Sequence, residues 1–158
     1  MFFFIVLVVS NFQSKRKTPT AVAFYRDERL FGSDATALQP KKPEVVYANP
    51  FRMLGRTDKH PLVTELGESL YTPYDMILNG SDVDGRGILA IKEAKDWYTP
   101  EELTAMLLVH AKDMTDEFGG QHVKDCVVTV PSGFTQHERE GVYAAASIAG
   151  LNILSLIE

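Results

Sequence analysis

The apolar positions of this chain fall into runs of three kinds: unbroken, alternating, and recurring by three and four. MFFFIVLVV, the first nine residues, is unbroken. NFQSKRKTP is polar and ends in Pro19, which predicts a loop. Thr20 to Phe24 (TAVAF) is β-branched and aromatic and alternates, predicting a strand; YRDE predicts a turn and RLFG a short returning strand. Pro40, Pro43 and Pro50 each end or kink a helix, leaving short helical pieces at about 34–39 and 49–54. YDMIL and GILAIKEAKDW predict two strands flanking the turn NGSDVDGRG.

The strongest helix signal is YTPEELTAMLLVHAKDMTDEFGG. Thr99 is a good N-cap, Pro100 suits the first helical position, and Glu102 can close a capping box. Leu103, Met106, Leu107, His110, Met114 and Phe118 recur on one face, and Gly119-Gly120 offers a left-handed stop. His110 on that face reads as a core histidine rather than a ligand, since no second His or Cys stands near it. Val123 to Val130 follows without alternation, the pattern of a strand covered on both faces. In TVPSGFTQHERE the strand ends at Pro131, and Thr135 and Glu138 mark a second capping box. Val142, Ala145, Ala146 and Ala149 lie on one face of the helix that follows. Gly150 stops it, and NILSLIE begins another strand. A strand-helix-strand unit of this kind predicts parallel strands, with ligands beyond their carboxyl ends.

Length and charge narrow the classes. At 158 residues, 45% hydrophobic and 23% charged, the chain has the size and composition of one globular domain. Its net charge of −5, with Lys15-Arg16-Lys17 as the only basic run, argues against a nucleic-acid partner. Cys126 is the single cysteine, so no internal disulfide and no cysteine metal cluster can form. Asp82 and Asp84 invite a calcium loop, but with Gly85 at the sharp turn the first and twelfth ligand positions fall on Gly80 and Ile91, which lack side-chain oxygens. No metal site is expected. For the apolar start three readings stand: a buried strand, a degenerate signal or anchor, and a misassigned start. A membrane span needs about 20 apolar residues, more than this run supplies.

VKDCVVTVPSGFTQHEREGVYAAASIAGLNILSLIE resembles the ATPase domain of the seventy-kilodalton heat-shock chaperones. Val128-Thr129-Val130-Pro131, Phe134, Arg139 and Ala149-Gly150-Leu151-Asn152-Ile153-Leu154 match its string in order. RKTPTAVAF with RLFGSDA looks like the family's R-x-T-P-S-x-V-A-F region, and YTPEELTAMLL is similar to its Y-x-P-E-E helix. SKRKTP and HVKDCVVTVP look most like the large, hypoxia-induced 170-kilodalton glucose-regulated subgroup of the endoplasmic reticulum. A sugar kinase or actin-like protein shares the fold but not this string.

The resemblance implies an α/β fold: a partial actin-like (ribonuclease-H-like) ATPase lobe with a β-hairpin and helical outer subdomain. By that pattern residues 1–19 form a first strand and loop of the inner lobe, 20–120 the outer subdomain with its long closing helix, and 121–158 an inner strand-helix-strand. The family's D-x-G-T-T-N/S hairpin and D-L-G-G-G-T loop have no counterpart in the sequence, which reads as a fragment, a partial gene model or a truncated paralogue. FRMLGR, Phe51 to Arg56, matches the family's K-R-L-I-G-R with Phe51 in the place of the lysine beside the phosphates. No catalytic residue is therefore expected. Arg52 and Arg56 are either nucleotide-proximal or surface arginines; Pro131 and Arg139 match the family's interdomain relay. The intact parent would bind ATP with Mg2+, and its partners would be unfolded polypeptides and co-chaperones, with no nucleic acid and no firm membrane span. Its compartment would be the endoplasmic reticulum lumen, the alternative being the cytoplasm. This chain alone is expected to bind no nucleotide and to be inactive. The competing function is a non-catalytic interaction module derived from that domain.

Overall fold

A computed structural model describes residues 7–57, 60–61, 76–81, 87–93 and 95–158. Strands β1 (Ala21–Tyr25) and β2 (Glu28–Phe31) pair antiparallel across Arg26 and Asp27. Both turn residues have positive φ, 54° and 62°, the pattern that lets a two-residue hairpin follow the strand twist. Helix α1 (Gly32–Leu38) follows directly. A 3-10 turn at Pro43–Val45 leads into β3 (Val46–Ala48), which pairs with the free side of β1, giving the order β2-β1-β3. Ala21, Ala23, Ala35 and Val46 form the small core between this sheet and α1. The small side chains let helix and sheet approach closely.

A second antiparallel sheet runs β4 (Met76–Ser81), β5 (Gly87–Glu93), β6 (Asp96–Tyr98). GILAIKEAKDW is thus two strands where one was expected: β5 pairs β6 through Glu93↔Asp96, so the chain doubles back between those two residues. Helix α2 (Pro100–Gly119) carries the expected capping box between Thr99 and Glu102, and Gly120 ends it at φ 62°. Tyr47, Met53, Leu89, Ile91 and Leu103 form one core that draws on both sheets and α2. The apolar face of the helix is deeply buried only near its start. Leu103 is buried, whereas Phe118 is 58% exposed near the carboxyl end. His110 stacks on Phe31 at 4.7 Å and meets the edge of Phe12 at 5.5 Å. Burial lowers its pKa against the opposing pull of Asp113 and Asp34.

Asp116 controls the exit from α2. Its carboxylate accepts from Lys112 Nζ at 2.7 Å, meets His122 Nδ1 at 3.0 Å and accepts the Val123 amide at 2.7 Å. These bonds, Lys112 first, hold it well below the usual carboxylate range. The chain then enters β7 (Asp125–Thr129), helix α3 (Gln136–Ile148) and β8 (Asn152–Ile157). β7 and β8 are parallel, as the strand-helix-strand pattern predicted.

The expected cover of β7 changes. β7 is not covered on both faces: its burial alternates, and Val127 is 52% exposed. Val128 and Val130 turn to the α3 side, and nothing among the described residues covers the other. The apolar start, for which a strand was one of three readings, falls largely on residues outside those described, and residues 7–11 carry no regular structure. The calcium-loop candidates Asp82 and Asp84 also lie outside the described residues. Among the described residues no helix is long and apolar enough to cross a membrane.

Candidate functional site

The two halves of the chain meet at the stretch FRMLGR. Asn49, at φ 54°, turns the chain into a 3-10 turn at Pro50–Met53. Met53 and Leu54 are buried at 1% and 0% exposure, which anchors the turn between two cores. Gly55 then takes φ 61°, and its amide donates to Glu101 Oε1 in the first turn of α2 at 2.9 Å. A Cβ on Gly55 would sit 2.2 Å from the His137 carbonyl oxygen, and one on Gly141 would sit 2.9 Å from the Gly55 amide nitrogen. Two glycines thus let the turn lie backbone to backbone against the start of α3.

Arg56 completes the clasp. Its Nε donates to Glu138 Oε1 at 2.6 Å, and its Nη2 pairs with the same oxygen. Glu138 Oε2 accepts the Thr135 amide at 2.6 Å, so one carboxylate both caps α3 and holds Arg56. The Glu138 residue is only 4% exposed. Burial alone would raise its pKa; the Thr135 bonds and the Arg56 guanidinium outweigh that and lower it. A group lowered on folding contributes stability above the ordinary carboxylate range and loses it as pH falls through its folded pKa. Glu138→Gln should therefore destabilise by about 1.5–3 kcal/mol at neutral pH, the range for hydrogen bonds to charged groups. The difference from the parent should shrink in acid. Urea melts at pH 7 and pH 3 check this; an equal deficit at both would mean that the charge is not what Arg56 recognises.

Phe51 belongs to a different contact. Its ring stacks on Phe134 at 5.4 Å with 24° between planes, beside the core of Leu54, Val130 and Val142. The position that the resemblance gives to a lysine is an apolar plug over the carboxyl end of β7. Arg52 is exposed. Pro131 is exposed too, and its carbonyl accepts the Phe134 amide at 3.0 Å. Arg139 donates from Nε to the Phe134 carbonyl at 3.1 Å and pairs through Nη2 with Glu158. The structure thus brings together Phe51, Phe134 and the Pro131 turn, and separately Arg56 and Glu138. Arg52 joins neither group. By themselves these residues do not fit a nucleotide: Phe51 offers a packed ring, and Arg56 is already held by a carboxylate.

Sequence reasoning missed the clasp. Arg56 and Glu138 are 82 residues apart, and Glu138 had been accounted for by its capping box. The one usable signal was the glycine before Arg56, placed directly after two apolar residues.

The family model described as Hsp70 protein matches residues 5–158. Hypoxia up-regulated protein 1 of Danio rerio is 40% identical over 151 residues, which cover 95% of this chain and 15% of that protein. Its Xenopus laevis counterpart is 36% identical over 151 residues, 95% of this chain and 23% of the relative. Heat shock 70 kDa protein 17 of Arabidopsis thaliana is 38% identical over 138 residues, 86% of this chain and 15% of the relative. The chain therefore spans less than a quarter of the length of these relatives. With a family model running through both halves and the clasp between them, the chain belongs to the Hsp70 protein family.

Proposed function

We propose that this chain is part of the actin-like ATP-binding domain of a molecular chaperone that assists protein folding or acts as a nucleotide exchange factor for a smaller relative. In this reading residues 20–120 are the outer subdomain and 121–158 a strand-helix-strand of the inner lobe. The assembled domain would take ATP with Mg2+, and the whole protein would act on unfolded polypeptides with co-chaperones. The compartment in this reading is the endoplasmic reticulum lumen, as the resemblance of SKRKTP and HVKDCVVTVP to the large subgroup implies; the cytoplasm is the alternative. The observation that carries the reading is the clasp. It ties the stretch matching the family's phosphate-side motif to the helix that bears Arg139, one residue beyond Glu138.

Pro131 and Arg139 are the proposed relay to a peptide-binding domain. Arg139 links the start of α3 to Phe134 and Glu158, so a shift of β8 against α3 would reach the Pro131 turn through it. The test uses a chimera in which this chain replaces the matching segment of the Danio rerio relative. Arg139→Ala should leave ATP affinity near the parent value and slow ATP-driven peptide release by roughly fivefold or more, the lower end of typical coupling between sites. Unchanged release would refute the relay. A second reading, a non-catalytic interaction module, is favoured by the ring of Phe51 in the lysine's place. A chimera that folds but fails to bind ATP would support it over the first.

A further inference from the structure

Strand β4 ends in Asn79-Gly80-Ser81, the one Asn-x-Ser/Thr triplet with x other than proline in the 158 residues. The triplet is the acceptor signature for N-linked glycosylation. Its place in the fold is specific. Among the described residues β4 is an edge strand, in the order β4-β5-β6. Its register with β5 runs Met76↔Ile91, Ile77↔Ala90 and Leu78↔Leu89, then resumes at Ser81↔Gly87. Two residues of β4, Asn79 and Gly80, therefore lie opposite one residue of β5, Ile88: a β-bulge at the loop end of the hairpin. Asn79 and Gly80 have no Cα partner across the ladder, so their backbone is released from regular pairing. Glycine at the middle position allows the local turn that a strand in full register forbids.

We infer that Asn79 is an N-glycan acceptor. The inference rests on the luminal compartment proposed above. In the reaction the Asn79 side-chain amide nitrogen forms a bond to the anomeric carbon of an oligosaccharide carried on a polyprenyl pyrophosphate. The bond from that carbon to the pyrophosphate breaks, and the amide proton leaves with the lipid pyrophosphate. No oxidant or reductant is needed. The Ser81 hydroxyl supplies the recognition element two residues on. Among the described residues β4 pairs on one side only, and a glycan on an edge strand hinders pairing with another chain.

The chain would be translated with microsomes behind a cleavable signal sequence. Protease protection reports delivery to the lumen; peptide-N-glycosidase reports the glycan. The signal-fused chain should be protected and run one glycan step slower, and the enzyme should collapse that step. Asn79→Gln and Ser81→Ala should abolish the step, and Ser81→Thr should retain it. A fused chain that is protected but unshifted would overturn the assignment, as would a step that survives Asn79→Gln. If the fused chain is shifted while an antibody to this chain finds the protein of its own cells outside the luminal fraction, the acceptor stands and the luminal reading falls instead.

Discussion

Gly55→Ala should unfold the junction between the two halves of the chain, with a loss of about 2–5 kcal/mol. Two costs combine. A non-glycine residue in the left-handed region costs about 1–2 kcal/mol. Forcing extra volume into a packed contact typically adds about 1–3 kcal/mol. Here the added carbon would meet the backbone of α3, 2.2 Å from the His137 carbonyl oxygen, 2.5 Å from its carbon and 2.8 Å from the Glu138 nitrogen. Backbone in the first turn of a helix cannot swing aside as a side chain would. Relief requires the turn to lift, which pulls the Gly55 amide from Glu101 and Arg56 from Glu138. Gly133→Ala is the matched control: its Cβ meets nothing within 4 Å, so it should stay within about 0.5 kcal/mol of the parent. Thermal and urea melts of the purified chain, followed by circular dichroism, compare the two. Equal stability of both variants would mean that α3 does not lie on the turn as described.

The elements easiest to read were those whose boundaries are set by local chemistry. α2 announces itself through Thr99, Pro100 and Glu102 and ends at Gly120, because capping and left-handed stops act within a few residues. α3 was equally clear from Thr135, Glu138 and Gly150, and its alanine-rich buried side was visible in the spacing. β3 was not seen. It has three residues between two prolines and, among the described residues, pairs only with β1, so its stability comes from tertiary context. The split of β5 from β6 was missed for the same reason: a tight reversal at polar residues looks like an interruption on a solvent-facing strand. The apolar run Cys126-Val127-Val128 suggested cover on both faces, because composition shows what a strand can bury and not what is there to bury it.

The candidate site was legible only where a motif named it. Phe51 drew notice because a lysine was expected there, yet its stack on Phe134 depends on how the Pro131 turn brings residue 134 across the end of β7. Arg56 was read as either surface or nucleotide-facing. Its partner is a helix cap on the far half of the chain, a role that pattern cannot disclose, since a capping glutamate looks complete with its own backbone.

Turnover of ATP provides the second large effect. The chain alone should release no phosphate above background. Phosphate binding relies on convergent backbone amides, and the described residues around the end of β7 present an aromatic stack instead. In the chimera with the Danio rerio relative, ATP should bind but turn over slowly, because Phe51 still stands in the lysine's place. Phe51→Lys should then raise the rate by about 10²–10³, the usual worth of one well-placed electrostatic group. The substitution has a structural cost that must be separated from its chemistry. An ammonium cannot remain in the cluster of Leu54, Val130 and Val142, so the new side chain would leave it and uncover Phe134. Some loss of stability is expected, and rates are compared at saturating ATP, well below each protein's melting temperature. Phe51→Met is the control that removes the ring without adding charge, and it should stay slow. Turnover by the chain alone would sink the first expectation. Equal rates for the chimera and its Phe51→Lys form would sink the second and shift the charge stabilisation to Arg52, Arg56 or the supplied segments. Arg56 could serve only by leaving Glu138, so Glu138→Gln, which loosens that clasp, should then speed turnover; if it does not, Arg56 is ruled out as well.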